Sequence, residues 1–200
     1  MAARSGAAGR RIDDEALVRQ RLVAAAAEEF EAHGYAQADI GRIARRAGVA
    51  EAEFHAHFSG KVELAEGLWD VARVTLIGLY RELARTNPRD LATFDTWLRK
   101  TFAFYRRNRR RLLAVHEAIA LEPELSEVYA GHTKEIAGIL VPLSRPRPGD
   151  TEESPRTRIA LMSMQHERFC FLALLRQMPF DEDEAVRALA RSWFDELGTP

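Results

Sequence analysis

Residues 42–61 read RIARRAGVAEAEFHAHFSGK, and their spacing of small, apolar and turn-forming residues is typical of two short helices joined by a tight turn. In IARRAGV, Ala44 is small enough for a second helix to cross close to it, and Gly48 permits a tight turn between the two helices. The small core under that turn would be filled by Ile43, Val49 and Phe54. The spacing predicts a helix-turn-helix, although an ordinary corner between two amphipathic helices has the same pattern.

The charge of this stretch does not favour binding to a polyanion such as DNA. No lysine or arginine stands between Arg46 and Lys61, while Glu51 and Glu53 stand where a recognition helix would meet DNA. Residues 1–66 hold nine lysines and arginines and eleven acids, a net charge of −2. A nucleic-acid-binding segment is usually basic, so the charge and the motif point in different directions.

The composition of the chain is that of a globular protein with a real core. Its 200 residues are 46% hydrophobic and 30% charged, with a formal net charge of −1. The single cysteine, Cys170, allows no intrachain disulfide, so we expect a cytoplasmic protein in which this side chain is an apolar core residue. The start MAARSGAAGRR lacks the apolar core of a signal peptide, and the apolar run 169–175 is too short to span a bilayer. We therefore expect no membrane partner.

Apolar residues recur at helical spacing along almost the whole chain, and no strand pattern competes with them. The sequence predicts an all-α protein of about nine helices after a disordered arm over residues 1–12. The predicted helices lie near 13–33, 40–47, 51–57, 61–85, 89–107, 109–121, 123–140, 157–178 and 182–197. A proline-rich linker at 142–155 is expected to be a mobile loop inside one domain.

The N-terminal segment resembles the TetR family of transcriptional regulators over residues 19–66. LVAAAAEEFEAHGY, IGRIARRAGV and FHAHFSGKVEL follow that family's pattern without a gap. The matching positions are Phe30, Gly34, Tyr35, Ile43, Ala44, Ala47, Gly48, Val49, His57, Phe58 and Lys61. The resemblance implies a three-helix DNA-binding domain over residues 13–66 and a helical bundle over 67–200 that binds a ligand and forms a two-fold dimer.

Two parts of the motif depart from the family's pattern. The usual Thr-Thr that enters the second helix is Ala38-Asp39 here, and the usual Ser-x-Gly-Thr-Leu-Tyr is AEAEFH, residues 50–55. Asp39 can cap the second helix, Glu53 can form half of a capping box with the Ala50 amide, and Glu51 is favoured by the helix dipole. Alternatively, Glu51 or Glu53 accepts a hydrogen bond from a cytosine amino group in the major groove.

Positive charge around the motif can still reach a DNA backbone. Three arginines lie on the second helix, Lys61 opens the fourth helix where the family's lysine meets phosphate, and the arginines of the N-terminal arm could follow a groove. The predicted DNA-binding residues are Arg42, Arg45, Arg46, Ala50, Glu51, Glu53, His55, His57 and Lys61. The basic run RRNRRR at 106–111 is interpreted as a solvated junction between helices, away from DNA.

The C-terminal half mixes apolar and polar side chains in a way that suits a largely apolar cavity with a few polar anchors. The predicted ligand pocket consists of Trp97, Phe104, Tyr105, His116, Met162, Gln165, His166 and Phe169, each of which is also an ordinary core residue type. The histidine and carboxylate spacings of helical metal enzymes, a phosphate-binding glycine loop and a nucleophile elbow are all absent from the sequence. We expect no enzyme, no metal and no cofactor.

The last two predicted helices carry more apolar surface than one stripe can bury, which indicates a second copy of the chain as partner. The predicted dimer interface includes Leu172, Leu175, Val186, Leu189 and Trp193. The sequence therefore predicts a homodimeric, ligand-responsive regulator, a repressor that binds a palindromic DNA operator and responds to an apolar small-molecule effector. The alternative is a helical dimer of the same fold that acts through protein contacts, its DNA surface having decayed.

Overall fold

The computed structural model describes residues 3–86, 88 and 90–198, and over that part of the chain it is entirely helical, without a strand. Its nine α-helices are α1 (Ala3–His33), α2 (Ile40–Ala47), α3 (Glu51–His57), α4 (Lys61–Thr86), α5 (Leu91–Arg107), α6 (Arg109–Leu121), α7 (Pro123–Leu140), α8 (Ser154–Phe169) and α9 (Glu182–Leu197). A 3-10 turn spans Val141–Leu143, and a π-helical segment spans Cys170–Leu175. The predicted all-α fold is confirmed.

Local chemistry sets the helix ends near the motif. The Asp39 carboxylate accepts a 2.8 Å hydrogen bond from the Arg42 backbone N–H and caps α2, as the sequence predicts. Gly34 ends α1 and Gly48 ends α2, both at positive φ, 78° and 68°, where a side chain would be strained. These two glycines make the turns on either side of α2.

The first helix is longer than predicted. It begins at Ala3, so residues 3–12 continue α1, where the sequence analysis expected a disordered arm. The alanines and arginines of this stretch favour helix and outweigh the two glycines on which the expectation rested. Met1 and Ala2 lie outside the described residues.

The chain divides into two compact units. Unit 1 is the chain through Asp70 together with Leu113–Leu125, and unit 2 is Val71–Leu112 together with Ser126–Pro200. The predicted boundary after residue 66 falls four residues before the break inside α4. The sequence analysis assigned residues 113–125 to the C-terminal domain, whereas the structure groups them with the N-terminal helices.

Each unit has its own core. In unit 1, α1 packs against α2 and α3, and the enclosed side chains include Leu22, Phe30, Tyr35, Ile43, Phe54 and Phe58. In unit 2, α5 packs against α9. The rings of Trp97 and Trp193 meet there edge to face, 5.4 Å between centroids, and Tyr80 packs against both.

The helix predicted over 157–178 is two segments. α8 ends at Phe169 and continues as the π-helical turns, after which Gln177 takes a positive φ of 57°. Both faces were expected to be buried, but Leu161 is 61% exposed and Met164 is 50% exposed. Only one face of α8 is covered within unit 2.

The linker after α7 is tied down by a buried carboxylate, although the sequence analysis expected a mobile loop. Glu196 of α9 is 1% exposed and accepts hydrogen bonds from Arg147 at 2.7 Å, from Arg158 at 2.9 Å and from the Ser144 hydroxyl. Arg158 also binds Asp150 at 2.6 Å, and this guanidinium holds the pKa of Asp150 below its usual range. These long-range contacts fix the loop against α8 and α9.

None of the described helices is both long enough and apolar enough to cross a membrane.

Candidate functional site

The helix-turn-helix is built as a rigid support under α3. Ile43 and Phe54 are fully buried, Val49 is half-buried, and the Val49 N–H donates to the Ala44 carbonyl at 3.0 Å to close the turn. Phe54 is the only residue of α3 that is buried, so the rest of this short helix faces outward. The predicted core under the turn is confirmed by this burial.

The exposed face of α3 is acidic and carries one aromatic ring at its edge. Glu51, Ala52, Glu53 and His55 are exposed, and the His55 ring stands edge to face on Phe54, 5.1 Å between centroids. His57, at the end of the helix, is half-buried. These side chains are available to a partner.

The predicted capping box is not formed. Ala50 is the N-cap of α3 and has no side-chain oxygen, so one half of the box is missing. The Glu53 backbone N–H donates to the Ala50 carbonyl at 3.0 Å, and the described contacts include none between the Glu53 carboxylate and the Ala50 amide. The Glu53 carboxylate therefore does not cap its own helix.

Three of the four predicted DNA-contacting cations have acceptors inside unit 1. Arg42 donates to the buried carboxylate of Glu29 at 2.7 Å and to the Gln37 carbonyl at 2.9 Å. Arg46 pairs with Glu28 at 2.9 Å. The sequence could not show this because each arginine and its acid are more than ten residues apart on different helices.

Lys61 also binds within unit 1. Its ammonium donates to the carbonyls of Tyr35 at 3.2 Å and Ala36 at 3.1 Å, and it lies 5.1 Å from the centre of the Tyr35 ring. Arg45 differs from these cations, because it is exposed and makes no hydrogen bond or ion pair with the described residues. Arg45 is thus the predicted cation that is readiest to meet phosphate.

Two arginines of α1 position the motif, and the sequence analysis missed both. Arg19 donates to the carbonyl of His57 and lies 4.1 Å from the centre of the Phe58 ring. Arg21 donates to the carbonyls of Ala47 and Gly48, at the turn. They tie the ends of α2 and α3 to α1 across 26 to 38 residues of sequence, a separation that leaves no local signal.

Residues 113–125 add a further anchor to the same unit. Glu117 accepts a 2.7 Å hydrogen bond from the backbone N–H of Tyr35, and Glu122 accepts one of 2.8 Å from the Tyr35 hydroxyl. Burial and the Glu122 carboxylate raise the pKa of Tyr35. Tyr35, a position the family resemblance singled out, thus joins the end of α1 to α6 and to the residue just after it.

Residues 22–68 match the family model of bacterial regulatory proteins, tetR family. This range covers α2, α3 and the turn between them, and it begins just after Arg19 and Arg21. Over this segment the chain is similar to the tetR family.

Two curated relatives come from Pseudomonas putida. The chain is 42% identical over 50 residues to the HTH-type transcriptional regulator SrpR, and 42% identical over 50 residues to TtgW, an uncharacterized HTH-type transcriptional regulator. Each match covers 25% of this chain, and it spans 24% of SrpR and 37% of TtgW. The sequence likeness is confined to a part of each relative.

Solved structures resemble this chain over most of its length. The multidrug binding protein EbrR, solved with imidazole, matches with a TM-score of 0.67 at 19% identity, covering 91% of this chain and 90% of that one. A protein assigned to the TetR family from Mesorhizobium loti MAFF303099 matches with a TM-score of 0.63 at 14% identity, covering 89% and 94%. At these identities the likeness is one of fold.

The predicted ligand-pocket residues lie at several places in the fold. Trp97 and Phe169 line two different ones, and Phe104 and Tyr105 are buried. Met162 is half-buried, Gln165 is exposed, and His116 belongs to unit 1. The apolar periodicity that suggested a cavity lining is, for most of these residues, that of packed core.

His166 shows how this core is packed. It is 2% exposed, and its ring nitrogens lie 3.4 Å from the Tyr80 hydroxyl and 3.2 Å from the Thr101 hydroxyl. Burial lowers the pKa of His166 to about 4, so the ring is neutral at pH 7. A neutral histidine with hydroxyls at both nitrogens is a satisfied core residue.

Unit 2 nevertheless contains cavities of ligand size. One of about 310 Å³ lies between the end of α4 and α5, beside Trp97. Another of about 580 Å³ lies between α7 and α8 and is lined by small residues, with Lys134, Arg156 and Met164. A third of about 440 Å³ lies beside Phe169, near the basic run 106–111. These cavities include two of the predicted pocket residues, Trp97 and Phe169, and are large enough for a small molecule.

The predicted dimer residues are mostly core as well. Leu175, Val186, Leu189 and Trp193 are buried within unit 2, and Leu172 is half-buried. The apolar stripe of α9 faces α5 of the same chain, so it needs no second copy to cover it. The apolar residues of α8 that remain exposed are Leu161 and Met164.

The described part of the chain holds no group of three or more histidine, cysteine, aspartate or glutamate side chains placed to bind a metal ion. Cys170 is a free, fully buried thiol, and burial raises its pKa. It packs as the core residue that the sequence analysis expected.

Proposed function

We propose that this chain is a DNA-binding transcriptional regulator whose α3 enters the major groove. The observation that carries the proposal is the outward face of α3, held on the buried Phe54 by the turn at Gly48 within the segment that matches the family model. A short helix with one buried anchor and an otherwise free surface is suited to contact base edges.

The contacts divide into two kinds in this proposal. Glu51 and Glu53 are free to accept hydrogen bonds from cytosine amino groups. Arg45 and His55, which are also exposed, contact the phosphates. Arg42, Arg46 and Lys61 already have acceptors in unit 1, so they contribute less to phosphate binding than their number suggests. Affinity for random DNA is therefore weak, and specific contacts carry a larger share of the binding.

The regulator acts as a homodimer on a palindromic operator. A two-fold dimer must place both copies of α3 on one side of the duplex, which puts the half-sites about one helical turn apart, roughly 34–36 Å. The exposed apolar residues Leu161 and Met164 of α8 supply the self-association surface, in place of the buried residues named from the sequence.

A small-molecule effector bound in unit 2 controls DNA binding. It shifts the population of the dimer away from the DNA-competent form, and only as far as its preference between the two forms allows. The cavities of unit 2 support this proposal. Acting through protein contacts alone is not favoured, because the curated relatives that match the motif are HTH-type transcriptional regulators.

The proposal is tested by selecting duplexes from a randomised pool with the full chain, in low salt and without effector, after sedimentation has confirmed the dimer. We expect a palindrome to be enriched. Arg45→Ala should lower affinity for all duplexes alike and reduce the salt slope by about one, whereas the matched change Arg46→Ala, at an arginine paired with Glu28, should do less. A confirmed dimer that enriches no palindrome would refute DNA binding.

A further inference from the structure

A cleft of about 440 Å³ opens where the end of α5 and the start of α6 face the segment that joins α8 to α9. Most of its wall is apolar, formed by Phe169, Ala173, Leu174, Met178, Pro179 and Phe180. Its polar edge consists of Arg106, Arg109, Gln177 and Glu182. The size and this mixture are those of a small-molecule site.

The aromatic wall of the cleft is open to solvent. Phe180 is 50% exposed, and its ring stands edge to face on Phe169 with 5.0 Å between centroids. Met178, in the same segment, is also exposed. Large apolar side chains grouped around a concavity leave a surface that a flat apolar group would cover favourably.

The cleft contains one positive charge without an acidic partner. Arg106 is paired with Glu182. Arg109 instead donates to two neutral acceptors, the Leu175 carbonyl at 2.8 Å and the Gln177 side-chain oxygen at 3.2 Å. No carboxylate of the described chain forms an ion pair with Arg109, so its charge is left for an anion.

Gln177, which accepts a hydrogen bond from Arg109, has an unusual backbone conformation and helps to hold this arginine in place. Gln177 is the one non-glycine residue with positive φ in the described part of the chain, and it follows directly after the π-helical turns and Arg176. Glycine would adopt this conformation without strain, but only a side chain such as that of Gln177 can accept the Arg109 hydrogen bond. The strained residue therefore orients the guanidinium at the edge of the cleft.

We propose that this cleft binds a small monocarboxylate with a flat apolar body. The carboxylate pairs with the planar guanidinium of Arg109, and the body lies against Phe169 and Phe180. Glu182 already neutralises Arg106, so the positive charge of Arg109 is the one left in the cleft. A single charge is suited to a monoanion and not to a polyanion such as nucleic acid. This inference rests on the effector-binding part of the proposed function and specifies the chemistry and place of the effector.

Calorimetric titration of the full chain without DNA tests the inference. The probes are 2-naphthoate and 2-naphthamide, which share the apolar body and differ in the charged group. We expect the acid to bind at least about tenfold more tightly than the amide, the difference made by one charge-assisted pair. The comparison needs no variant, so it does not depend on any substitution being tolerated.

Three variants locate the binding. Arg109→Gln should weaken binding of the acid about tenfold and leave the amide unchanged. Phe180→Ala should weaken both probes, because both lose the same apolar contact. Arg110→Gln removes a charge from the neighbouring exposed arginine, which does not line the cleft, and should leave both affinities unchanged.

Three results would each overturn the inference. The first is equal affinity for acid and amide, and the second is no binding of either. The third is an Arg109→Gln variant, folded by circular dichroism, that binds the acid like the wild type. None of these results bears on DNA binding, which the duplex selection measures separately.

Discussion

The guanidinium of Arg42 lies 2.7 Å from Oε1 of Glu29, whose side chain is fully enclosed in unit 1. Glu29 also accepts from the Asp39 backbone N–H at 3.4 Å, and its other oxygen is buried without a hydrogen bond among the described residues. The arginine is thus the main compensation for a buried negative charge. Its first role is to stabilise the motif.

Arg42→Ala should lower the free energy of unfolding by about 2 kcal/mol, since it leaves the Glu29 carboxylate buried without its charged partner. The matched change Arg45→Ala removes an exposed arginine of the same helix and should cost less than about 0.5 kcal/mol. Urea unfolding of both variants, followed by circular dichroism, measures the difference. Equal stabilities would contradict the structural role of Arg42.

Glu51→Gln should strengthen binding to random DNA, because it removes a negative charge from the face that meets phosphate. If Glu51 reads a cytosine, the same change should relax preference at one base pair by about 1–3 kcal/mol. If Glu51 only stabilises α3 by interacting with the helix dipole, the variant should be slightly less stable and its base preference should not change. Binding to matched duplexes decides between these, with Glu66→Gln on α4 as the control for net charge.

Stability should fall as the pH drops from about 6.5 to about 4, because burial lowers the pKa of His166 to about 4 and burial with Arg73 lowers that of His132 to about 4. Between these limits the unfolded chain binds protons that the folded chain does not. Above the pKa that each histidine has in the unfolded chain, its contribution to stability is complete. As the pH falls from that value toward the pKa of the folded state, the free energy of unfolding decreases by up to about 1.4 kcal/mol per pH unit for each histidine.

The His166→Gln variant isolates this contribution. Urea unfolding at pH 7.5, 6.0 and 5.0 should show a shallower loss of stability for the variant than for the wild type. The titrations of the many carboxylates cancel in the difference between the two proteins. An identical pH slope would mean that His166 charges freely in the folded state.

Glu196→Gln should loosen the linker after α7, because the neutral amide is a poorer acceptor for Arg147 and Arg158. We expect a loss of about 2–4 kcal/mol in stability and faster cleavage after Glu152, in the loop, by the glutamate-specific endoproteinase Glu-C. Asp195→Asn makes the same type of change at the adjacent exposed residue and should cleave at the wild-type rate. Unchanged cleavage in Glu196→Gln would mean that the carboxylate does not anchor the loop.

Leu161→Glu should shift the dimer toward monomer without lowering monomer stability, since Leu161 is exposed on α8. Trp193→Glu should instead lower the stability of unit 2, because Trp193 is 1% exposed and would be replaced by a buried, unpaired carboxylate. Sedimentation velocity at micromolar concentration and thermal unfolding separate the two effects. Leu17→Glu, at an exposed leucine of α1, is the control; an unaltered dimer in Leu161→Glu would move the interface elsewhere.

Residues that are close together in the sequence suffice to predict most of the helices, several of their ends and the TetR-like motif. These features depend on residues that are near one another in the chain: Asp39 caps the N–H of Arg42 three residues later, and Gly48 ends a helix because no side chain hinders its backbone. The same short range explains why the motif under α3 could be recognised from Ile43 and Phe54. α1 and α8 were exceptions. The start of α1 was not predicted because its alanines and glycines favour opposite conformations, and the predicted helix 157–178 changes to π-helical turns after Phe169.

The partners of each helix face and of each charge depend on residues far apart in the sequence, so they become visible only in the folded chain. The helical spacing of apolar residues in α9 predicts that Trp193 is buried. It does not show whether α5 or a second copy of the chain packs against it, since either one would bury the same apolar area. The charges of Arg42 and Lys61 are visible in the sequence, but their acceptors, Glu29 and the Tyr35 carbonyl, come from other helices or turns. Arg109 and Gln177 lie 68 residues apart, so the cleft they share exists only after the chain has folded.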